Sequence, residues 1–254
     1  MAMNPMEQFE VKPVLTQHPL FQIGGHDIFF TNQAVFMILV VVATALFLTF
    51  AMSKRALVPG RMQSMAEMSY EFVSSMIHGV AGEDGLAFFP FVFTLFMFVL
   101  VSNFFGLIPG TFNITGQICV TFALAAVVIL TVIVTGFIKH GFGFLKLFVP
   151  HAPWWILILL VPIEVMSFLI RPMSLSVRLF ANMLAGHTML AVFAGFVVML
   201  GTAGGILSAL SVGPMLLIVA ITLLEFLIAF LQAYVFAILT CIYLNEALHL
   251  HDHH

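Results

Sequence analysis

Acidic and basic residues fall in short clusters along the chain, and the runs between them are long enough to cross a bilayer. Residues 28–53 contain no Asp, Glu, Lys or Arg and end at Lys54-Arg55, with Arg61 soon after. This run predicts one span. Residues 86–138 are equally free of charge but too long for one helix, and Pro109-Gly110 and Asn113 divide them into spans at about 87–108 and 116–138. Two further apolar helices are predicted at 155–200 and 212–247, joined by a turn running from Gly201-Thr202-Ala203-Gly204-Gly205 through Gly213-Pro214. At about 1.5 Å per residue either exceeds the ~30 Å hydrocarbon core, which invites a tilt.

Residues 56–85 have a different pattern. Apolar Met62, Met65, Phe72, Met76 and Val80 share one helical face, and polar Ser64, Glu67, Glu71, Ser75 and His78 share another. This is an amphipathic helix, expected to lie flat on the cytoplasmic membrane surface. Lys54-Arg55 after the first span, and Lys139 and Lys146 after the 87–138 hairpin, put both of those ends in the cytoplasm. The N-terminus is then outside, where Lys12 is the only cation, and the C-terminus is cytoplasmic. The expected fold is an all-α polytopic membrane protein with five transmembrane spans and one amphipathic surface helix. Its last two helices form a long tilted antiparallel hairpin. Residues 1–27 form an external segment and 28–254 a single membrane domain.

Composition sharpens this picture. Of 254 residues, 62% are hydrophobic and 7% charged, against about 25% charged in soluble domains. A mean hydropathy of +1.17 agrees with the membrane class. Cys119 and Cys241 sit in apolar runs and read as small core residues, not a disulfide framework. Residues 1–22 lack the pattern of a secretory signal. The tail His249-Leu250-His251-Asp252-His253-His254 reads as a solvated end, with a metal site as the alternative. There is no internal repeat of fixed period.

The candidate chemistry lies in the last two helices. Arg178 is followed by no charged residue until Glu225, so its guanidinium should lie deep in the bilayer. Placing it there costs about 2.5–3.5 kcal/mol on insertion scales, and Arg does not escape by deprotonating. Glu164, Arg171 and Arg178 are spaced by seven and share a face, to which Asn182 adds a turn. Glu225 and Gln232 share a face of the last helix. In an antiparallel hairpin, facing residues have a nearly constant index sum. The pairs Arg178/Gln232 and His187/Glu225 have nearly the same sum, and its midpoint falls at Gly205, inside the predicted turn. The register thus sets Gln232 at the depth of Arg178 and lets Glu225 and His187 form one titratable pair on its outer side. Glu164 and Arg171 lie on its cytoplasmic side. Beside Arg178 the chain offers an amide and no carboxylate. An unpaired buried cation is expensive, so its anion is expected from another chain. Structural roles compete with these. Glu225 and His187 also suit a buried structural pair, Gln232 helix packing, and Glu164 and Arg171 interfacial anchors. Asn103 in the third span is a weaker candidate for the outer route.

The stretch Arg171-Pro172-Met173-Ser174-Leu175-Ser176-Val177-Arg178-Leu179-Phe180-Ala181-Asn182-Met183-Leu184-Ala185-Gly186-His187 closely resembles the signature of the a subunit of rotary ATP synthases. Leu231-Gln232-Ala233-Tyr234-Val235-Phe236 and Leu239-Thr240-Cys241-Ile242-Tyr243-Leu244 resemble that family's last helix. The likeness runs from Asn4-Pro5-Met6-Glu7-Gln8-Phe9 to Tyr243-Leu244. It implies a non-catalytic stator beside a rotating ring of c subunits, each with a buried carboxylate. Peripheral-stalk b-type subunits and the rest of the complex would be further partners, with no nucleic acid, metal or cofactor. Arg178 would drive the ring carboxylate to release its proton and would block leak between two offset half-channels. His187, Glu225 and Asn103 would line the outer half-channel. Glu164, Arg171 and Ser174 would line the cytoplasmic one, with Gln232 and Asn182 beside Arg178. Some members carry Glu at the His187 position and His at the Glu225 position, an exchange that keeps the pair. A bacterial plasma membrane is favoured over a mitochondrial inner membrane.

Two other classes compete. A secondary transporter would use similar charges, but such folds often show repeats and none is visible. A metal enzyme would need clustered His within spans, and His187 is alone in its helix.

Overall fold

The computed structural model describes residues 21–23, 26–29, 31–53, 59–108, 111–141, 143–144 and 154–248. Most of the N-terminal segment expected to be external, with Lys12, lies outside them, as do Lys54-Arg55, Pro109-Gly110, Lys146 and the His-rich tail. Strands β1 (Phe21–Ile23) and β2 (His26–Ile28) form an antiparallel pair with Phe21 opposite Ile28, an element the helical periodicity does not announce. The helices are α1 (Asn32–Met52), α2 (Arg61–Gly85), α3 (Phe89–Gly106), α4 (Ile118–His140), α5 (Trp154–Thr202), α6 (Ile206–Leu210) and α7 (Val212–Leu248). Five helical stretches among the described residues are long and apolar enough to cross a membrane. They are Asn32–Met52, the joined stretch Arg61–Gly106, Ile118–His140, Trp155–Thr202 and Ser208–Leu248. The chain is an all-α polytopic membrane protein by this architecture, with the short β pair added to it.

Local chemistry explains the boundaries. The Asn32 side chain accepts a hydrogen bond from the Gln33 N–H at the start of α1. Gly82, at φ 63°, interrupts the helical path within α2, a conformation glycine adopts without strain. Between α5 and α6, Gly204 and Gly205 take φ of 72° and 64° and reverse the chain where the sequence predicts the turn. Helix α5 has 49 residues and is about 73 Å long, more than twice an apolar core. Its helical assignment continues through Pro162 and Pro172. Threonines in the long helices satisfy themselves. The hydroxyls of Thr44, Thr94, Thr131, Thr188, Thr222 and Thr240 each donate to the carbonyl four residues earlier.

Two compact units divide the chain. The first comprises Met1–Thr49, Phe98–Gln117 and Leu179–Gln232. In it, Phe104 of α3 stacks on Phe226 of α7 with ring centroids 5.1 Å apart. The loop after α3 folds around Asn113, whose Oδ1 accepts from the Gly116 N–H at 3.0 Å and the Thr115 hydroxyl at 3.1 Å.

The second unit comprises Phe50–Met97, Ile118–Arg178 and Ala233–His254. Phe72 of α2 packs between Phe96 and Tyr234, each 5.7 Å away. Helix α2 buries Ala66, Val73, Met76, Ile77, Ala81 and Gly85, while Met62 and Met65 are exposed. The packed stripe thus follows the expected apolar face only in part, since Met76 is buried in it and Met62 and Met65 are not. Thr121 and Ser176, both fully buried, share a hydrogen bond of 3.1 Å between α4 and α5. Lys139 pairs with Asp84 at 2.9 Å, and the His140 ring donates to the Leu248 carbonyl at 3.2 Å. Cys119 is exposed and only Cys241 is buried, which corrects the reading of both as core residues.

Candidate functional site

Orientation of α5 follows from which residues it buries. Leu175, Leu179, Met183 and His187, four apart, form the packed stripe. That choice turns Arg171, Ser174 and Arg178 out onto the neighbouring face. In the second unit, Arg171, Ser174 and Arg178 of α5 join Val235, Ile238, Leu239 and Tyr243 of α7 around an open cleft of about 750 Å³. The rest of its lining is almost wholly apolar. Arg178 is exposed into this cleft. Among the described residues, no carboxylate of the chain pairs with it.

Arg171 is placed differently. Its Nη1 donates to the Glu246 carboxylate, and its guanidinium lies over the Tyr243 ring, 5.5 Å from the centroid. Glu246 was not among the expected site residues. The hairpin register puts residues 239–241 opposite Arg171, so it points to the last part of α7 but not to Glu246 itself. Glu164, seven residues before Arg171, is half-buried.

The outer candidates assemble in the first unit. Asn103 of α3 is fully buried, and its Nδ2 donates to the Ala229 carbonyl of α7 at 3.1 Å. His187 of α5 is buried, and its ring hydrogen-bonds the backbone of Gly106, one turn along α3 from Asn103. Gly186, beside His187, abuts Glu225 of α7. A Cβ built there would overlap Glu225 Oε1, so only glycine lets the carboxylate lie against α5. This contact has the register expected for His187 and Glu225. Several buried polar atoms in this unit have no hydrogen-bond partner among the described residues. They are Ser102 Oγ, Asn103 Oδ1, Asn113 Nδ2, Glu225 Oε2 and Gln232 Nε2. Ser102, next to Asn103, and Asn113, in the loop after α3, were not expected as site residues. Asn182 is half-buried in the same unit as Gln232, whereas Arg178 belongs to the second. No cluster of three or more His, Cys, Asp or Glu able to hold a metal occurs among the described residues.

Fold and site together define a polytopic helical membrane protein that keeps ionisable side chains among apolar helices, the arrangement typical of ion and proton paths. A family model described as ATP synthase A chain matches residues 34–245. The chain belongs to that family. It is 59% identical over 250 residues to an ATP synthase subunit a from Chelativorans sp. (strain BNC1), covering 98% of this chain and 99% of the relative. An ATP synthase subunit a from Mesorhizobium japonicum is 57% identical over 247 residues, covering 97% and 96% of the two chains. One from Sinorhizobium medicae is 56% identical over 254 residues and covers both completely.

Proposed function

We propose that this chain is the proton-conducting stator subunit of a bacterial ATP synthase. It works beside a ring of c subunits, held by b-type stalk subunits, and performs no bond chemistry of its own. It spans the plasma membrane with its N-terminus outside and its C-terminus in the cytoplasm. Residues 28–254 act as one membrane domain, α2 rests on the cytoplasmic surface, and the α5–α7 hairpin tilts to fit its length.

One observation carries this reading: Arg178 stands in an apolar cleft with no carboxylate of the described residues paired to it. A permanent cation so placed awaits an anion from outside. A carboxylate arriving on the ring would be driven to give up its proton, because the adjacent guanidinium favours the charged form. His187, Glu225 and Asn103 deliver protons from the outer side. The orphaned polar atoms around them support this assignment, since buried groups without protein partners are where ordered water is held. Glu164, Arg171 and Ser174 serve the cytoplasmic side, and Gln232 and Asn182 flank Arg178. Each proton crossing 100 mV supplies about 2.3 kcal/mol. The subunit has to admit protons from each side while forbidding a direct path, and a fixed cation between two offset routes does so.

The test is ATP-driven proton pumping and passive leak in membranes carrying Arg178→Ala, with the assembled complex quantified. Loss of pumping in an assembled complex is expected, with leak raised. Normal pumping with normal leak would reduce Arg178 to a structural charge.

A further inference from the structure

Arg171 and Arg178 line one cleft and stand seven residues apart on α5, about 10 Å along its axis. Their surroundings differ. Arg171 is bonded to the Glu246 carboxylate and stacked on Tyr243, and the two paired side chains are only 29% and 28% exposed. Arg178 has neither partner among the described residues, and no acidic residue lines the cleft itself. The cleft therefore offers one available cation although two guanidinium groups border it.

We propose that Glu246 is a positioning residue: it neutralises Arg171 and holds it against Tyr243, so that Arg178 alone meets the carboxylate entering the cleft. The inference rests on the function proposed above. Stacking fixes the plane of the guanidinium, and the carboxylate uses its donors. Without Glu246, Arg171 becomes a second free cation on a long flexible stem. An entering carboxylate would then be attracted to two places, and its proton would be released before it reached Arg178. At an effective dielectric near 20, a free charge about 10 Å away changes a carboxylate's proton affinity roughly tenfold.

The experiment compares Glu246→Gln, Glu246→Asp, Arg171→Gln and the double variant Arg171→Gln/Glu246→Gln in native membranes. ATP-driven pumping is measured against the amount of subunit in the assembled complex. Glu246→Gln should lower pumping roughly tenfold. Glu246→Asp, which keeps the charge, should retain most of it. The double variant should pump as well as Arg171→Gln alone, which sets the cost of losing Arg171 from the cytoplasmic side, and better than Glu246→Gln, a rescue that a purely structural role for Glu246 does not produce. Normal pumping in Glu246→Gln overturns the inference. So does a double variant no better than Glu246→Gln, which would make Glu246 active in its own right. If Glu246→Gln fails to accumulate, the double variant decides. Assembled and pumping supports the proposal, whereas assembled and inactive, or absent, overturns it, because a neutralised pair is expected to fold. Arg178→Ala on the same membranes separates the two levels. Normal pumping there removes the proposed function, while its loss beside a normal Glu246→Gln removes only this inference.

Discussion

Gly186→Ala is the most informative single methyl group that can be added to this protein. A Cβ at that position overlaps Glu225 Oε1 and lies 2.9 Å from Cδ and 3.2 Å from Cγ. Carbon pairs rest at roughly 3.5–4.0 Å, so Cδ must retreat by about 0.6–1.1 Å and Cγ by about 0.3–0.8 Å. Because Cγ has to move as well, turning the carboxylate about its last bond does not relieve the clash. The whole side chain leaves its rotamer, at about 0.5–1.5 kcal/mol if it settles off a staggered position. Fold stability should absorb that, but a proton relay should not, since misplacing a reacting group by about 1 Å can cost on the order of a hundredfold. The expected result is an assembled complex whose ATP-driven proton pumping falls ten- to a hundredfold, roughly. Adding Glu225→Asp, which shortens the side chain by one methylene, should return part of the activity. Wild-type pumping in assembled Gly186→Ala would refute the claim that the close approach of Glu225 to α5 matters.

Two further outcomes test the packing of the second unit. Gly136→Ala drives a Cβ into the Phe144 ring, which cannot bend away as a flexible chain can. Overpacking of this kind costs about 1–3 kcal/mol, read as a lower midpoint of thermal dissociation in detergent; an unchanged midpoint means Phe144 is not seated there. Lys139→Met removes a pair whose side chains are 40% and 56% exposed. Such pairs are worth at most about 1 kcal/mol, so assembly measured by blotting should stay near normal, and a large drop would show that the pair anchors the end of α4.

Much of this molecule is legible from where charges are missing. The charge-free runs place α1, α3 and α4 within a few residues of their observed ends, because an apolar solvent admits only helices with internal backbone pairing. The hairpin register is legible too. Gly186 against Glu225 follows from a turn at Gly204-Gly205, whereas Arg171 meets Tyr243 and Glu246 a few residues beyond the position that register sets opposite it. Other features were hidden for physical reasons. Hydrophobicity finds the inner face of a helix in water, but along α2 it does not separate buried Met76 from exposed Met62 and Met65 on the same apolar face. The same ambiguity made Cys119 look like a core residue. Ser102 was passed over beside Asn103, and Asn113 was read only as a break between spans, because sequence alone does not reveal which way one polar side chain points.

The self-bonded threonines bear on how such sequences change over time. Each of these hydroxyls is already spent on its own helix, so neighbouring groups meet little more than a methyl group. Thr44, Thr131 and Thr222 thereby come close to valine in shape and in polarity. Exchange between the two should drift freely at these sites, and a hydropathy scale that counts each hydroxyl as wetted understates how oily this chain is.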